Sequence, residues 1–263
     1  MTLRLNGSTS GYTEIDAPAV AGNNTLILPA NWGDLSQSRN AIINGNPIIN
    51  QRGYVSGTAT SGANQYTLDR WRVVTSGQSI TWTDSGNVRT VTAPSGGVEQ
   101  VIEGINLITG TYTLNWIGTA TATVAGNAVA KGGNVSITGG TDTTLRFSSG
   151  TFSLVQLEPG MVASGFERRS YGQELALCQR YYEASSNFVA MWTPVSNASA
   201  TAARRATIHF KVLKRGSPTV SVNLSQGLAN TGNGIDINYF SYFGDQNAYL
   251  ETNITAWTAS AEL

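Results

Sequence analysis

The sequence predicts an all-β fold made of short antiparallel strands. Apolar and polar residues alternate with a period of two in several stretches, so each stretch has one apolar and one polar face. Such stretches include Thr111–Trp116, Thr144–Phe147, Thr207–Val212 and Thr219–Leu224. Turn-forming pairs such as Ser85-Gly86 separate them. Short strands with this spacing are typical of β-sandwiches and jelly rolls.

The N-terminal residues predict an extended arm and not a self-contained domain. Leu3, Leu5, Ile15 and the run Leu26–Leu28 are apolar, but segments rich in glycine, serine and asparagine interrupt them. These runs are too few to bury a core. A segment of this kind is stable only when it pairs with another chain or docks on another protein. We therefore expect an arm over residues 1–38 that assembles with other chains.

One short helix is predicted in the second half of the chain. Ser170 can cap its first turn, and Gln173, three residues later, completes a capping box. Leu175, Cys178 and Tyr182 then share one helical face, where Cys178 acts as a small buried hydrophobe. A helix this short is stable only when it packs on other elements. We therefore place a domain boundary at this helix.

The rest of the chain divides around that helix. A length of 263 residues suits two small domains. We expect a jelly-roll β-sandwich over 39–169, a linking helix over 170–183 and a C-terminal β-sandwich over 184–263. With the arm over 1–38, these segments complete an all-β protein whose one helix packs between two β-domains.

Charge and composition argue against several classes of partner. Lys+Arg and Asp+Glu each number 16, so the formal net charge is zero, and only 12% of the residues are charged. A chain without net charge has no long-range attraction to nucleic acid or anionic membranes. No stretch approaches the ~20 apolar residues of a membrane helix. We expect neither nucleic-acid binding nor membrane insertion, and the single cysteine, Cys178, fits folding in a reducing cytoplasm.

The sequence contains no familiar catalytic motif. P-loop, G-x-S-x-G and H-E-x-x-H patterns are absent, and the single histidine, His209, is predicted to be a solvent-facing strand residue. The pairs Glu99/Glu103 and Glu158/Glu167 are the candidate carboxylates for glycoside hydrolysis, but spacing along a β-chain does not place them in space. We expect no enzymatic activity, no cofactor and no metal site of His and Cys ligands. A calcium site of Asp, Asn and carbonyl oxygens stays open.

Three tryptophans lie in the alternating stretches of the predicted jelly roll. Trp71, Trp82 and Trp116 could each stack on the apolar face of a pyranose. However, Trp116 shares the phase of Leu114, and Trp82 shares that of Ile80. We therefore expect both Trp82 and Trp116 to lie in the core.

The aromatic segment Ile235–Gly244 is the candidate ligand surface. Interpreted as one strand, it places Tyr239 on one face and Tyr242, in phase with Asn238, on the other. A single-sided core cannot hold aromatics from both faces, so one face binds either a ligand or a neighbouring subunit, with the subunit slightly favoured. Gln246 adds an amide at the strand end. Asn238, Tyr239, Tyr242 and Gln246 are the predicted ligand-binding residues.

Stretches in the first half of the chain carry a family resemblance. Leu3–Pro29 resembles a module common near the N-termini of bacteriophage tail fibres. Ile42–Asn46, Gln51–Gly53 and Tyr66–Arg72 resemble the opening of a phage-fibre domain whose sandwich is similar to carbohydrate-binding jelly rolls.

The second half carries the more specific part of this resemblance. Val155–Gly160 and Phe166–Tyr182 are similar to the end of that sandwich and the helix after it. Phe210–Val220 and Thr258–Glu262 resemble a terminal β-domain of the same tail-fibre and receptor-binding proteins. The chain lacks the coiled coil or collagen-like repeat of a long fibre, so a short fibre or spike is expected.

The resemblance implies a structural virion protein that is assembled in the host cytoplasm and carried on the particle. Such families are usually homotrimeric, so it also implies a homotrimer. The arm over 1–38 would attach the protein to other virion proteins. The domain over 184–263 would bind a host cell-surface receptor, either a glycan or a protein.

Two alternatives remain at this stage. The chain could be a capsid decoration or head-fibre protein built from the same modules, or a depolymerase that cleaves surface polysaccharide. Genome position beside tail or capsid genes separates tail fibre from capsid protein. A reducing-sugar assay on host polysaccharide tests for the depolymerase.

Overall fold

The structure, a computed structural model, describes residues 3–6, 11–15, 39–185, 190–192, 204–225, 229–245 and 252–263. It confirms the all-β class, because strands dominate and a single short α-helix occurs within these ranges. The chain divides into two compact units, residues 1–35 and 36–263. The larger unit holds both predicted β-domains, and their separation into independent domains stays a prediction.

The first unit contains a β-hairpin. Strands β1 (Leu3–Asn6) and β2 (Tyr12–Ile15) pair antiparallel, with Leu3 opposite Ile15 and Asn6 opposite Tyr12. Gly11, just before β2, has φ +77°, a conformation that glycine adopts without strain. An isolated two-stranded hairpin is marginally stable in water. For this reason we still expect this arm to assemble with other chains, which stays a prediction.

Two antiparallel sheets form the first sandwich of the larger unit. Its strands are β3 (Gln65–Tyr66), β4 (Arg72–Val73), β5 (Thr81–Ser85), β6 (Val88–Ala93), β7 (Val98–Ile102), β8 (Gly110–Ile117), β9 (Thr121–Val124), β10 (Asn127–Val129), β11 (Gly133–Ile137), β12 (Thr143–Ser148) and β13 (Gly150–Pro159). One sheet has the order β10-β9-β12-β7-β4-β3 and the other β11-β8-β13-β6-β5. Between β6 and β13 the chain passes repeatedly from one sheet to the other, as jelly-roll chains do.

The core of this sandwich is aromatic at its centre. Phe147 and Phe152 stack with ring centroids 4.5 Å apart, Trp71 lies 5.0 Å from Phe152, and Trp116 lies 5.3 Å from Phe147. All four side chains are buried. The expectation for Trp116 is confirmed, because its alternation with Thr113 and Asn115 places it inward. Trp82 is half-buried and packs against this core without belonging to its buried residues, so the expectation that it lies in the core is wrong.

The segment before β3 runs along β13 at a bulge. Val155 donates its N–H to the Gly45 carbonyl at 2.9 Å, and Ala41 donates to the Leu157 carbonyl at 2.9 Å. The register of β13 shifts between Ser153 and Gln156, which frees these groups for the extra segment. Gly45 lies so close to the Val155 carbonyl that an added Cβ would clash. This contact fixes the loop that follows, which forms one wall of the groove described below.

The helix begins as predicted and ends earlier. In α1 (Tyr171–Gln179), Ser170 Oγ accepts the Gln173 N–H and the Gln173 side chain accepts the Ser170 N–H, so the capping box is confirmed. Cys178 is buried, and burial raises the pKa of its thiol well above the usual range. The predicted extent of 170–183 is too long. Tyr182 belongs to a strand, because its pairing opposite Ser260 replaces further helical turns. Among the described residues no helix is long and apolar enough to cross a membrane.

A second, smaller pair of sheets follows the helix. Its strands are β14 (Tyr182–Ser185), β15 (Ala190–Trp192), β16 (Arg204–His209), β17 (Thr219–Leu224), β18 (Ala229–Ile235), β19 (Tyr239–Asp245) and β20 (Thr252–Ser260). Strand β20 pairs with β14, β15 and β17, and β19 pairs with β16 and β18. Ile208, Phe210, Phe240, Ile254 and Trp257 form the core between these sheets.

The segment interpreted as one strand over 235–243 is instead a hairpin. Ile235 ends β18 and pairs with Phe240 of β19, and the chain reverses through 236–238. Asp236 donates its N–H to the Tyr239 carbonyl at 2.9 Å. Asp and Asn favour turns through side-chain bonds to nearby backbone, and here that preference overrides the alternating pattern. The prediction of one strand over 235–243 is therefore wrong. Tyr239, Phe240 and Tyr242 nevertheless all lie on β19, and the binding of a ligand or a subunit by one of its faces stays a prediction.

Candidate functional site

Two of the predicted ligand-binding residues lie together at the tip of the β18–β19 hairpin. Asp236 Oδ1 accepts the Asn238 N–H at 2.9 Å and the Asn238 side-chain amide at 2.8 Å, which fixes the turn. Asn238 is exposed and Tyr239 is 37% exposed. His209, exposed as predicted, lies beside them with its ring centroid 5.8 Å from that of Tyr239. We call Asn238, Tyr239 and His209 the hairpin-tip patch.

A third predicted residue, Tyr242, does not join this patch. Tyr242 is half-buried and packs against the second core, in register with Ala206 and Asn233. It therefore acts mainly as a packing residue. Gln246 lies outside the described residues.

The first pair of candidate catalytic carboxylates is engaged in ion pairs. Buried Glu99 contacts Arg72 at 2.6 Å and Arg146 at 2.7 Å. Glu103 lies 3.3 Å from Arg180 and accepts the hydroxyl of Tyr181 at 2.8 Å. Each carboxylate thus binds a different set of cationic or hydroxyl partners. Both serve to hold neighbouring strands and the helix end in place.

The second pair of candidate carboxylates, Glu158 and Glu167, accepts hydrogen bonds from loop residues. Glu158 accepts the Ser164 backbone N–H at 2.7 Å and its hydroxyl at 2.6 Å. Glu167 accepts the backbone N–H groups of Arg39 and Asn40 at 2.7 and 2.8 Å, and lies 3.3 Å from Arg169. These contacts are structural. Among the described residues no three His, Cys, Asp or Glu side chains are grouped so that they could hold a metal ion.

A buried ionic cluster joins the end of β20 to the first sandwich. Glu262 is bound by Arg52 at 2.9 Å and by fully buried Arg70. The guanidinium groups of Arg70 and Arg52 each lie 3.6 Å from a ring centroid, of Tyr181 and Tyr182 respectively. Burial raises the pKa of Tyr181 to about 12. We call these five residues the junction cluster.

Further hydrogen bonds surround the junction cluster. The Leu263 carbonyl accepts from the Tyr66 hydroxyl at 2.8 Å and from Arg72 at 2.7 Å. Gln51 donates its side-chain amide to the Tyr182 carbonyl at 2.9 Å. The Ala261 N–H donates to the Tyr181 carbonyl at 2.7 Å. These hydrogen bonds hold the last residues of the sequence and β14 against the loops around β3.

The first sandwich also carries a surface groove of about 380 Å³. It lies between the β5–β6 hairpin, the loop at Ile48 and the first residue of α1, Tyr171. Its charged edge is Asp84 and Arg89, which form a two-point ion pair at 2.8 and 2.9 Å. Asp84 has a pKa below its usual range because of the hydrogen bond from Arg89. Sequence reasoning missed this groove, because its residues come from three separate segments and form no linear motif.

The chain matches no family model, and no curated protein or solved structure shows significant similarity to it.

Proposed function

We propose that this chain is a structural protein of a bacterial virus particle, a short trimeric tail fibre or spike. In this proposal residues 1–38 attach it to other virion proteins, and the larger unit contacts a host-surface glycan or protein. The chain acts by binding and has no enzymatic role. An all-β architecture that displays loops and hairpin tips from rigid sheets suits such a role.

The junction cluster is the observation that carries this proposal. Gln51–Gly53, Tyr66–Arg72, Phe166–Tyr182 and Thr258–Glu262 each resemble phage-fibre sequences, yet they lie far apart along the chain. In the fold they meet, through Gln51 with Tyr182, Arg70 with Glu262, and the Tyr66 hydroxyl with the Leu263 carbonyl. The stretches that carry the resemblance thus form one contact region of the fold.

The state of the carboxylates supports a binding role over a catalytic one. A glycosidase needs both carboxyl groups accessible, one to the glycosidic oxygen and the other to the sugar or to a water. Glu99 instead lies between two arginines, and Glu158 accepts two hydrogen bonds from Ser164. Both carboxylates are buried, so a bound sugar would have to break existing contacts to reach them.

Particle composition tests the proposal. Virus particles from the strain that encodes the chain would be purified on a density gradient, digested and quantified by mass spectrometry. We expect the chain in purified particles, in multiples of three copies per particle and in a constant ratio to tail proteins. Absence from the particles would refute a virion role. A copy number that matches the capsomers would instead assign the chain to the capsid.

A further inference from the structure

The groove beside Tyr171 is an open surface groove with fixed walls. Its volume is about 380 Å³, at the lower end of the ~300–1,000 Å³ range of ligand pockets. Asn46 ties two of its walls together: its side-chain amide donates to the Asn87 carbonyl at 2.7 Å and its Oδ1 accepts the Arg89 N–H at 3.0 Å. Gly86 turns the β5–β6 hairpin with φ +57°, at the first position of a two-residue loop. The groove is therefore formed before any ligand binds.

An aromatic ring forms the apolar side of the groove. Tyr171 is 61% exposed, although it is a large aromatic residue at the first position of a capped helix. It adds little to core packing, and the capping box fixes its backbone. Ile48 and Val88 extend the apolar surface beside it. An exposed tyrosine ring next to aliphatic groups suits a ligand with one apolar face.

The polar side of the groove consists of the Asp84 carboxylate and the Arg89 guanidinium, which hydrogen bonds hold together. Arg89 uses Nε and Nη2 for Asp84, and its guanidinium lies 4.7 Å from the Trp82 ring centroid, which holds it in place. The Asp84 side chain is 51% exposed, so its oxygens can accept further hydrogen bonds. Guanidinium supplies donors and carboxylate supplies acceptors. Two adjacent hydroxyl groups, each both donor and acceptor, complement such a pair.

The charge of the groove selects among ligand classes. The Asp84–Arg89 pair is neutral as a unit, so a charged ligand gains from one member and is repelled by the other. A purely apolar ligand would displace water from the exposed Asp84 carboxylate without replacing the hydrogen bonds of that water. We propose that this groove binds one uncharged hexopyranose unit, whose C–H face stacks on Tyr171 and whose adjacent hydroxyls bind Asp84 and Arg89. This proposal rests on the proposed function only for the source of the sugar, a host-surface polysaccharide.

Saturation-transfer NMR on the purified full-length chain tests the site. The probes are the methyl pyranosides of glucose, galactose, mannose and N-acetylglucosamine, with methyl glucuronide as the charged comparison. We expect transfer to the ring protons of at least one neutral pyranoside and none to the glucuronide. Tyr171→Ala should weaken the apparent Kd by about thirtyfold, as loss of an aromatic anchor does. Tyr171→Phe should bind almost as well as the wild type.

Two further variants complete the test. Asp84→Asn should weaken binding, because it removes the ionised acceptor. Ile117→Ala, which removes a large side chain that is 60% exposed on β8 and does not line the groove, should leave sugar binding unchanged. The site assignment is overturned if no neutral pyranoside shows transfer, if only the glucuronide does, or if Tyr171→Ala binds like the wild type. These results are independent of particle composition, so failure of the sugar site and failure of the virion proposal can be told apart.

Discussion

Replacing Glu262 with glutamine should strongly destabilise the protein. The substitution keeps the side-chain shape and removes the only carboxylate that the structure shows bound to Arg70. The Arg70 side chain is 1% exposed and that of Glu262 is 6% exposed, so the guanidinium cannot recover its hydration. Removing one partner of a buried ion pair typically costs about 3–5 kcal/mol of folding free energy. We expect a loss of this size for Glu262→Gln.

The assay is equilibrium unfolding in urea, followed by tryptophan fluorescence at fixed protein concentration, because assembly shifts the apparent stability. Asp84→Asn is the matched control, since it also neutralises a carboxylate paired with arginine. The Asp84 side chain is 51% exposed, and a pair of this kind contributes only about 0–1 kcal/mol. If Glu262→Gln unfolds at the same urea concentration as Asp84→Asn, the junction cluster does not stabilise the fold as argued.

Three other predictions concern Tyr181, Tyr242 and the N-terminal hairpin. The raised pKa of Tyr181, about 12, means that the folded state keeps a proton which the unfolded chain loses near pH 10. Stability should therefore fall as the pH rises from about 10 to 12. In the Tyr181→Phe variant the melting temperature should fall less steeply over this range. An unchanged slope would contradict the role assigned to Tyr181. Tyr242→Ala should lower the free energy of unfolding by about 2 kcal/mol, less than the ~3–5 kcal/mol lost with a fully buried aromatic. Tyr239→Ala should leave the melting temperature nearly unchanged. Thermal melts compare the two variants, and equal losses of stability would contradict the assigned burial. Sedimentation of the full chain should give a homotrimer, because the hairpin in residues 1–35 is too small to be stable alone, and a folded monomer at micromolar concentration would oppose this.

The local features of the fold were largely predictable from the sequence. The alternation at Leu145 and Phe147 placed both side chains inward, and both are buried. The capping box at Ser170 and Gln173 is present because its residues act within one turn of chain. The turn at Ser85-Gly86 closes the β5–β6 hairpin. Each of these features depends on neighbours in sequence, which pattern reasoning treats directly.

Features that depend on distant residues were missed. One local feature was missed as well: the run from Ile235 to Phe243 alternates like a strand, but the Asp236 and Asn238 side chains fix a turn within it. The helix ends before Tyr182, since pairing with β20 competes with further helical turns. The groove has no linear signature either, because it assembles Ile48, Asp84 and Tyr171 from separate segments.

The candidate ligand residues illustrate the same limit. Asn238 and Tyr239 lie on an exposed tip, as proposed from their polarity and aromaticity. Tyr242 was placed on the same surface by phase alone, but the hairpin turns the Phe240 side of β19 inward and Tyr242 packs with it. Phase within a strand is reliable only when the strand's ends are known.

A reconstruction of the virus particle tests the central claim most directly. Particles would be imaged with and without an antibody fragment that binds the hairpin-tip patch of Asn238, Tyr239 and His209. The account predicts three copies of the chain on the tail, with the antibody density at the end of the fibre or spike that faces away from the particle. Particles without density for the chain, or with antibody on the capsid shell, would contradict it.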